Sequence, residues 1–175
     1  MKISRRDFTR SGFMMIAGAS CFPTILPSGH TWKGANDRLN IAHIGVGSRG
    51  SNELKNYFLP LSDSRSIAVC DVHLDRRENW KHHINSYYKD KGMSTSECMA
   101  YLDFEEILER KDIDAVNIVT PDHWHVPAAI KAANAGKHIM LAKPLGLSYP
   151  HYIKLKKLID KKNVKFHYAT QQRSF

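Results

Sequence analysis

Cysteine is scarce in this chain, with three residues in 175. Cys21, Cys70 and Cys98 are too few for a disulfide framework, and no two of them have the spacing of metal ligands, so free or buried thiols are expected. Long hydrophobic runs are missing too. The most apolar stretch, residues 12–26, is broken by Gly, Ser and Pro and is too short to cross a bilayer securely. No low-complexity tract or internal repeat occurs, which excludes a repeat architecture. Acidic residues are in deficit, 17 against 26 lysines and arginines, giving a formal net charge of +9. Such an excess raises the question of nucleic acid, and the placement of the lysines answers it. Lys154, Lys156, Lys157, Lys161 and Lys162 surround Leu155, Leu158 and Ile159, as on the wet face of an amphipathic helix. No aromatic stacking motif or recognition-helix pattern accompanies them, so no nucleic-acid partner is expected.

What is present is a globular composition, 42% hydrophobic and 25% charged. More of the basic excess lies at the N-terminus, where residues 4–10 read SRRDFTR ahead of the apolar stretch 12–26. This resembles a twin-arginine export signal: two adjacent arginines, a phenylalanine two places on, a further basic residue and a modest hydrophobic region. We therefore read 1–32 as a removed signal peptide, with cleavage after Ser20 or within 27–31, and residues 37–175 as one domain. The expected location is the periplasm, with only transient membrane contact during export. A lipoprotein box at Gly18, Ala19, Ser20 and Cys21 is disfavoured by glycine three places before the cysteine. About 145 residues then remain, enough to bury roughly two thirds of the unfolded surface.

The chain is organised around residues 39–50, LNIAHIGVGSRG. An apolar strand-like run leads into Gly45, Gly47 and Gly50, spaced G-x-G-x-x-G. The first glycine lets a strand turn sharply into a helix, the second leaves room for a pyrophosphate, and the third lets helix and strand pack closely. The helix starting there aims free N–H groups at phosphate. Asp71 stands 21 positions beyond Gly50, at the end of a second strand-like run, where a carboxylate accepts hydrogen bonds from ribose hydroxyls. The pattern points to a dinucleotide.

Strands and helices then alternate. Helices are expected over 52–59, 75–88 with Asp75 and Glu78 as a capping box, from a second such box at Asp103 and Glu106 to near Lys111, over 126–135 with Pro127 in the first turn, and over Tyr149–Lys162. Strands are expected over Met99–Tyr101, 114–120, His138–Ala142 and 164–170. This alternation predicts an α/β fold, a doubly wound parallel sheet in the order 3-2-1-4-5-6, with ligands bound beyond the carboxyl ends of the strands. Three features fall on that edge: the glycine turn, Thr120-Pro121-Asp122 with His123 and His125, and Lys143-Pro144.

Together these residues resemble the Gfo/Idh/MocA oxidoreductases, which pair an N-terminal Rossmann fold with a C-terminal α+β domain. The resemblance covers residues 38–175. Gly45, Gly47 and Gly50 match the family's glycine fingerprint, Asp71 its acidic residue, and Thr120, Pro121, Asp122 and His125 its strand-4 ending. Lys143 and Pro144 match its Glu-Lys-Pro motif, with Ala142 in place of the glutamate, and Gln171, Gln172 and Arg173 match its exit from the last strand. The resemblance implies cofactor contacts at Gly45, Val46, Gly47, Ser48, Arg49, Gly50, Asp71, Thr120, Pro121, Asp122, His125 and Lys143. Lys143 is also the implied catalytic residue, holding a substrate hydroxyl and easing its proton loss. Asp71 favours NAD over NADP, while Arg76 and Arg77 could offset a 2′-phosphate. His123 and His125 lack a third ligand, so no metal is expected. The implied partner is a small carbohydrate-like substrate, with homo-oligomerisation through the family's second domain. Because the chain ends at Phe175, where the family crosses into that domain, it is expected to hold the cofactor without completing a substrate pocket. Three readings stay open: an NAD-dependent dehydrogenase of a sugar or polyol, an NAD-dependent glycosidase working by transient oxidation and elimination, and a non-catalytic nucleotide-binding module.

Overall fold

The computed structural model describes residues 38–93 and 97–170. The leader at 1–32 and the segment Gln171, Gln172 and Arg173 lie outside the described residues. Six strands, β1 (Leu39–Ile44), β2 (Ser64–Cys70), β3 (Met99–Tyr101), β4 (Ala115–Ile118), β5 (His138–Ala142) and β6 (Phe166–Ala169), form one sheet in the order β3-β2-β1-β4-β5-β6. Every neighbouring pair is parallel. The order reverses between β1 and β4, which opens a crevice at their carboxyl ends.

Five helices connect the strands: α1 (Ser48–Glu53), running on into a π-helical turn over Leu54–Phe58, α2 (Leu74–Asp90), α3 (Phe104–Glu109), α4 (Asp122–Asn134) and α5 (Tyr149–Lys162). One buried cluster joins Val46, Leu54, Leu59 and Val69 to Ile84 and Tyr88 of α2. The larger cluster joins Ile44, Val116, Ile118 and Leu141 to Ile107 of α3, to Ala128, Ala129, Ala132 and Ala133 of α4, and to Leu155 of α5. The four alanines let α4 approach the sheet closely, because no side chain longer than a methyl stands between. On α5 the five lysines are exposed while Leu155 is buried, and Lys161 and Lys162 in the last turn oppose the negative end of the helix dipole.

Element boundaries differ from expectation where a local signal was read too literally. The helix expected over 52–59 starts inside the glycine turn at Ser48. The helix expected over 126–135 starts four residues earlier at Asp122, so Pro127 lies within it rather than in its first turn. There it costs one bond to the carbonyl of His123. Asp75 is not a cap: α2 starts at Leu74 behind His73, and the carboxylate serving that end is Asp71, whose Oδ1 accepts from the His73 N–H at 2.9 Å. Asp103 does cap α3, accepting from Glu105 N–H at 2.9 Å, and α3 stops at Glu109. Strands β4 and β6 are shorter than 114–120 and 164–170. Cys98, read as part of a polar connection, is fully buried and its N–H donates to Asn85 Oδ1 at 2.8 Å.

The sheet interior also holds polar side chains. His43 on β1 is 1% exposed, shares a 2.8 Å hydrogen bond between Nε2 and Ser66 Oγ, and meets the Phe58 ring edge-on. Burial pushes its pKa down to about 3, so the ring is neutral inside the fold.

Candidate nucleotide site

A cavity of about 820 Å³ opens at the carboxyl ends of β1, β2 and β4. Its floor is the glycine turn, and the three glycines there meet three different constraints. At Gly45, φ is +89° and an added Cβ would lie 2.5 Å from the Val119 carbonyl oxygen. At Gly50 an added Cβ would lie 2.1 Å from the Gly45 carbonyl oxygen. Both are therefore demanded by the protein's own packing. Gly47 is unlike them: its φ of −65° suits any residue, and the nearest protein atom to an added Cβ is Arg76 Nη1 at 3.5 Å. The room beside Gly47 is open cavity.

Hydrogen bonds hold the turn in shape. Gly45 N–H donates to the Cys70 carbonyl at 2.8 Å, tying the turn to β2. Val46 points its side chain into the core and donates its N–H to Asp71 Oδ2 at 3.0 Å. Trp80 of α2 donates Nε1–H to Ser51 Oγ at 2.7 Å, and the Ser51 hydroxyl donates to the Val46 carbonyl at 2.7 Å. Sequence reasoning missed Ser51 and Trp80. The available signal was an indole in a polar helix, since a partly buried Trp N–H seeks an acceptor.

Asp71, 8% exposed, lines the cavity at the end of β2. Each oxygen accepts one backbone N–H, and a carboxylate has room for further donors. The two arginines that follow it diverge. Arg77 donates Nη1–H to the carbonyls of Asp71 and Val72, at 3.2 and 3.3 Å, whereas Arg76 lines the cavity. Cys70 lines it too; burial, then the charges of Asp71 and Asp103, push its thiol up to about 12, so it is not a thiolate near neutrality. The far wall is apolar, with Val72, Leu102, Phe104 and Trp124, the last two rings edge-on at a centroid distance of 6.3 Å.

Of the residues singled out in the sequence, Gly45, Gly47, Ser48, Arg49, Gly50, Asp71, Thr120, Pro121 and His123 line this cavity, as does Arg76. Val46 is not among the lining residues and is buried in the core. Asp122, His125 and Lys143 stand outside its lining. Asp122 is the first residue of α4 and is exposed. The helical start at Asp122 leaves His123 and Trp124 exposed at the cavity and buries His125, which is 1% exposed and donates its Nδ1–H to the Pro144 carbonyl at 2.5 Å. It thus holds the Lys143-Pro144 segment, whose peptide bond is cis, instead of facing the cavity. Of the two histidines, His123 is exposed at the cavity and His125 is buried against Pro144. Lys143 is exposed at the end of β5.

The residues present fit a dinucleotide. The open space beside Gly47 suits a diphosphate, Asp71 suits a ribose, and the apolar wall suits a purine. Thr120 Oγ1 is buried at the cavity wall with no partner among the described residues, a polar atom that a ligand would satisfy.

Comparison with known proteins agrees. Residues 39–170 match the GFO_IDH_MocA model, described as an oxidoreductase family with an NAD-binding Rossmann fold. The glycosyl hydrolase family 109 protein of Shewanella pealeana is 31% identical over 163 residues, 85% of this chain and 35% of that protein. Protein 1 of the same name from Shewanella sp. (strain MR-4) is 34% identical over 113 residues, 63% of this chain and 23% of that protein. The chain thus spans about a quarter to a third of the length of these curated relatives. Among solved structures, scyllo-inositol dehydrogenase from Lactobacillus casei with bound NAD(H) and scyllo-inositol superposes with a TM-score of 0.65 at 26% identity, over 79% of this chain and 38% of that one. The myo-inositol 2-dehydrogenase of Lactobacillus plantarum, at 24% identity and a TM-score of 0.68, shares the fold over 79% of this chain and 38% of its own.

Proposed function

The chain belongs to the Gfo/Idh/MocA oxidoreductases, and from that premise we propose that it carries the cofactor-binding portion of an NAD-dependent dehydrogenase acting on a carbohydrate-like hydroxyl compound. The observation behind this is the glycine turn, in which Gly45 and Gly50 are closed by the protein's own atoms and Gly47 alone of the three is left open to the cavity that Asp71 also lines. Bound NAD supplies the hydride acceptor. The chain's residues do the rest: the turn and Arg49 receive the diphosphate, Asp71 takes the ribose hydroxyls, and the apolar wall shields the adenine. Lys143, in the segment that His125 holds through the Pro144 carbonyl, is the residue we assign to hold a substrate hydroxyl and ease its proton away.

Asp71 sets a preference for NAD, since its negative charge repels a 2′-phosphate. Arg76, the arginine left facing the cavity, narrows that preference. Calorimetry on the 175-residue chain should give tighter binding of NAD than of NADP, and Asp71→Asn should shrink the difference. Equal affinities in the parent protein would sink the assignment.

A second reading, glycoside cleavage through hydride removal and return, is favoured by the relatives named glycosyl hydrolase family 109. The two separate on net redox change: a glycosidase releases product without accumulating NADH, and a dehydrogenase accumulates it in step with product. Export of the folded protein to the periplasm by the twin-arginine route is also part of this proposal, on the strength of Arg5, Arg6, Phe8 and Arg10.

A further inference from the structure

Glu53 is the one acidic residue of α1, and it is buried, 2% exposed, against the sheet. Its Oε1 accepts from Arg49 Nε at 2.8 Å, and Asn117 of β4 reaches its Oε2 at 3.5 Å. Arg49 stands in the glycine turn, its side chain 43% exposed and lining the cavity. Nε is the one guanidinium atom with a partner among the described residues, so both terminal nitrogens keep their donors.

Helix physics does not account for this pair. An i,i+4 ion pair stabilises a helix best with the acid first, and here the arginine comes first. A cation in the first turn also opposes the helix dipole, which favours an anion there. Burying the carboxylate adds a desolvation cost that one half-exposed partner offsets only in part. A cation fixed at the start of α1 becomes favourable once a diphosphate arrives beside Gly47.

We propose that Glu53 is a positioning residue for phosphate recognition: it grips Arg49 at Nε and so presents the terminal guanidinium nitrogens to the diphosphate of the dinucleotide. The proposal rests on the dinucleotide reading of the cavity. It makes Glu53 specific for the phosphate-bearing part of the ligand. Glu53→Met replaces the carboxylate by an apolar group of similar size; it leaves the half-exposed Arg49 solvated but takes the acceptor from the buried Asn117 amide, at some cost in stability. This variant should stay folded with a modestly lower melting temperature and bind ADP-ribose about tenfold more weakly, the scale of a lost charge-assisted contact. Its affinity for adenosine, which has no phosphate, should stay within about twofold. Glu53→Gln keeps an accepting oxygen and should retain most of the affinity for ADP-ribose. Arg49→Ala should lose as much as Glu53→Met, and the double variant no more than either alone.

Titration calorimetry with ADP-ribose and ligand-observed NMR with adenosine, on the full chain, read these outcomes. Parent-like or tighter ADP-ribose binding by Glu53→Met overturns the proposal, because then the lost negative charge outweighs any lost positioning. An equal loss for adenosine overturns it too, by making Glu53 a general packing residue. Additive losses in the double variant overturn it as well. If Glu53→Met does not fold, Glu53→Gln carries the test, since a tenfold loss there refutes positioning through an accepting oxygen. No binding of ADP-ribose by the folded parent would remove the dinucleotide reading itself.

Discussion

The three glycines of the turn make identical substitutions at 45, 47 and 50 informative, because each Cβ meets a different obstacle. In Gly50→Ala the methyl lies 2.1 Å from the Gly45 carbonyl oxygen. That atom is backbone, in a turn whose Gly45 N–H is bonded to β2, so the upper end of the overpacking range applies, about 3 kcal/mol. For a domain of this size that corresponds to a fall in Tm of roughly 10 °C. Gly45→Ala meets the Val119 carbonyl at 2.5 Å and must also hold φ at +89°; left-handed backbone adds about 1–2 kcal/mol to the steric term. Gly47→Ala meets nothing nearer than 3.5 Å and has an ordinary φ of −65°, so its stability should stay within about 0.5 kcal/mol of the parent. Its methyl projects into the cavity near Arg76, and NAD affinity should fall about tenfold or more. Urea melts and NAD titrations on the three variants separate these effects. If Gly47→Ala is as unstable as Gly50→Ala, or binds NAD like the parent, the division of the turn into structural and ligand-facing glycines is wrong.

His43 refuses a proton in the fold until about pH 3, while the unfolded chain takes one up near 6.5. Stability is therefore fully present above that value and should decline by about 1.4 kcal/mol per pH unit as pH falls through the window. His43→Gln should flatten the urea-melt profile between pH 6.5 and 5, and an unchanged slope would show that the loss arises elsewhere. Cys70 and Cys98 are buried, with burial pushing both thiols up to about 12. In a Cys21→Ser background neither should react with a thiol reagent at pH 8 until urea is added, and rapid native labelling would contradict their burial. Arg5→Lys together with Arg6→Lys should abolish appearance of the folded protein in the periplasmic fraction, and continued export would remove the twin-arginine assignment.

Much of the fold was legible because its signals are local. Apolar runs of strand length alternate with helical stretches, and a glycine fingerprint opens them, so the doubly wound order follows once the class is recognised. The start of α4 differs because a single marker residue, Pro127, sets the expected phase. Pro127 reads as a helix start, yet a proline also survives inside a helix when packing over the rest of it outweighs the lost bond. With α4 starting four residues earlier, the phase at His125 changes, and a residue read as facing the cofactor becomes a buried brace for Pro144. Glu53 and Asn117 were illegible for a different reason. A glutamate in a polar helix looks solvated, and only the approach of β4 from 64 positions away makes it interior.

The Asp71 carboxylate joins two backbone amides from separate parts of the chain, Val46 in the turn and His73 ahead of α2. For anyone wishing to re-engineer cofactor choice this matters, because the usual edit replaces that acid with a small or basic residue. Here the same edit would also unpin the glycine turn from the next helix. A successful redesign would have to supply a substitute acceptor for both amides first, and only then recruit Arg76 to the added phosphate.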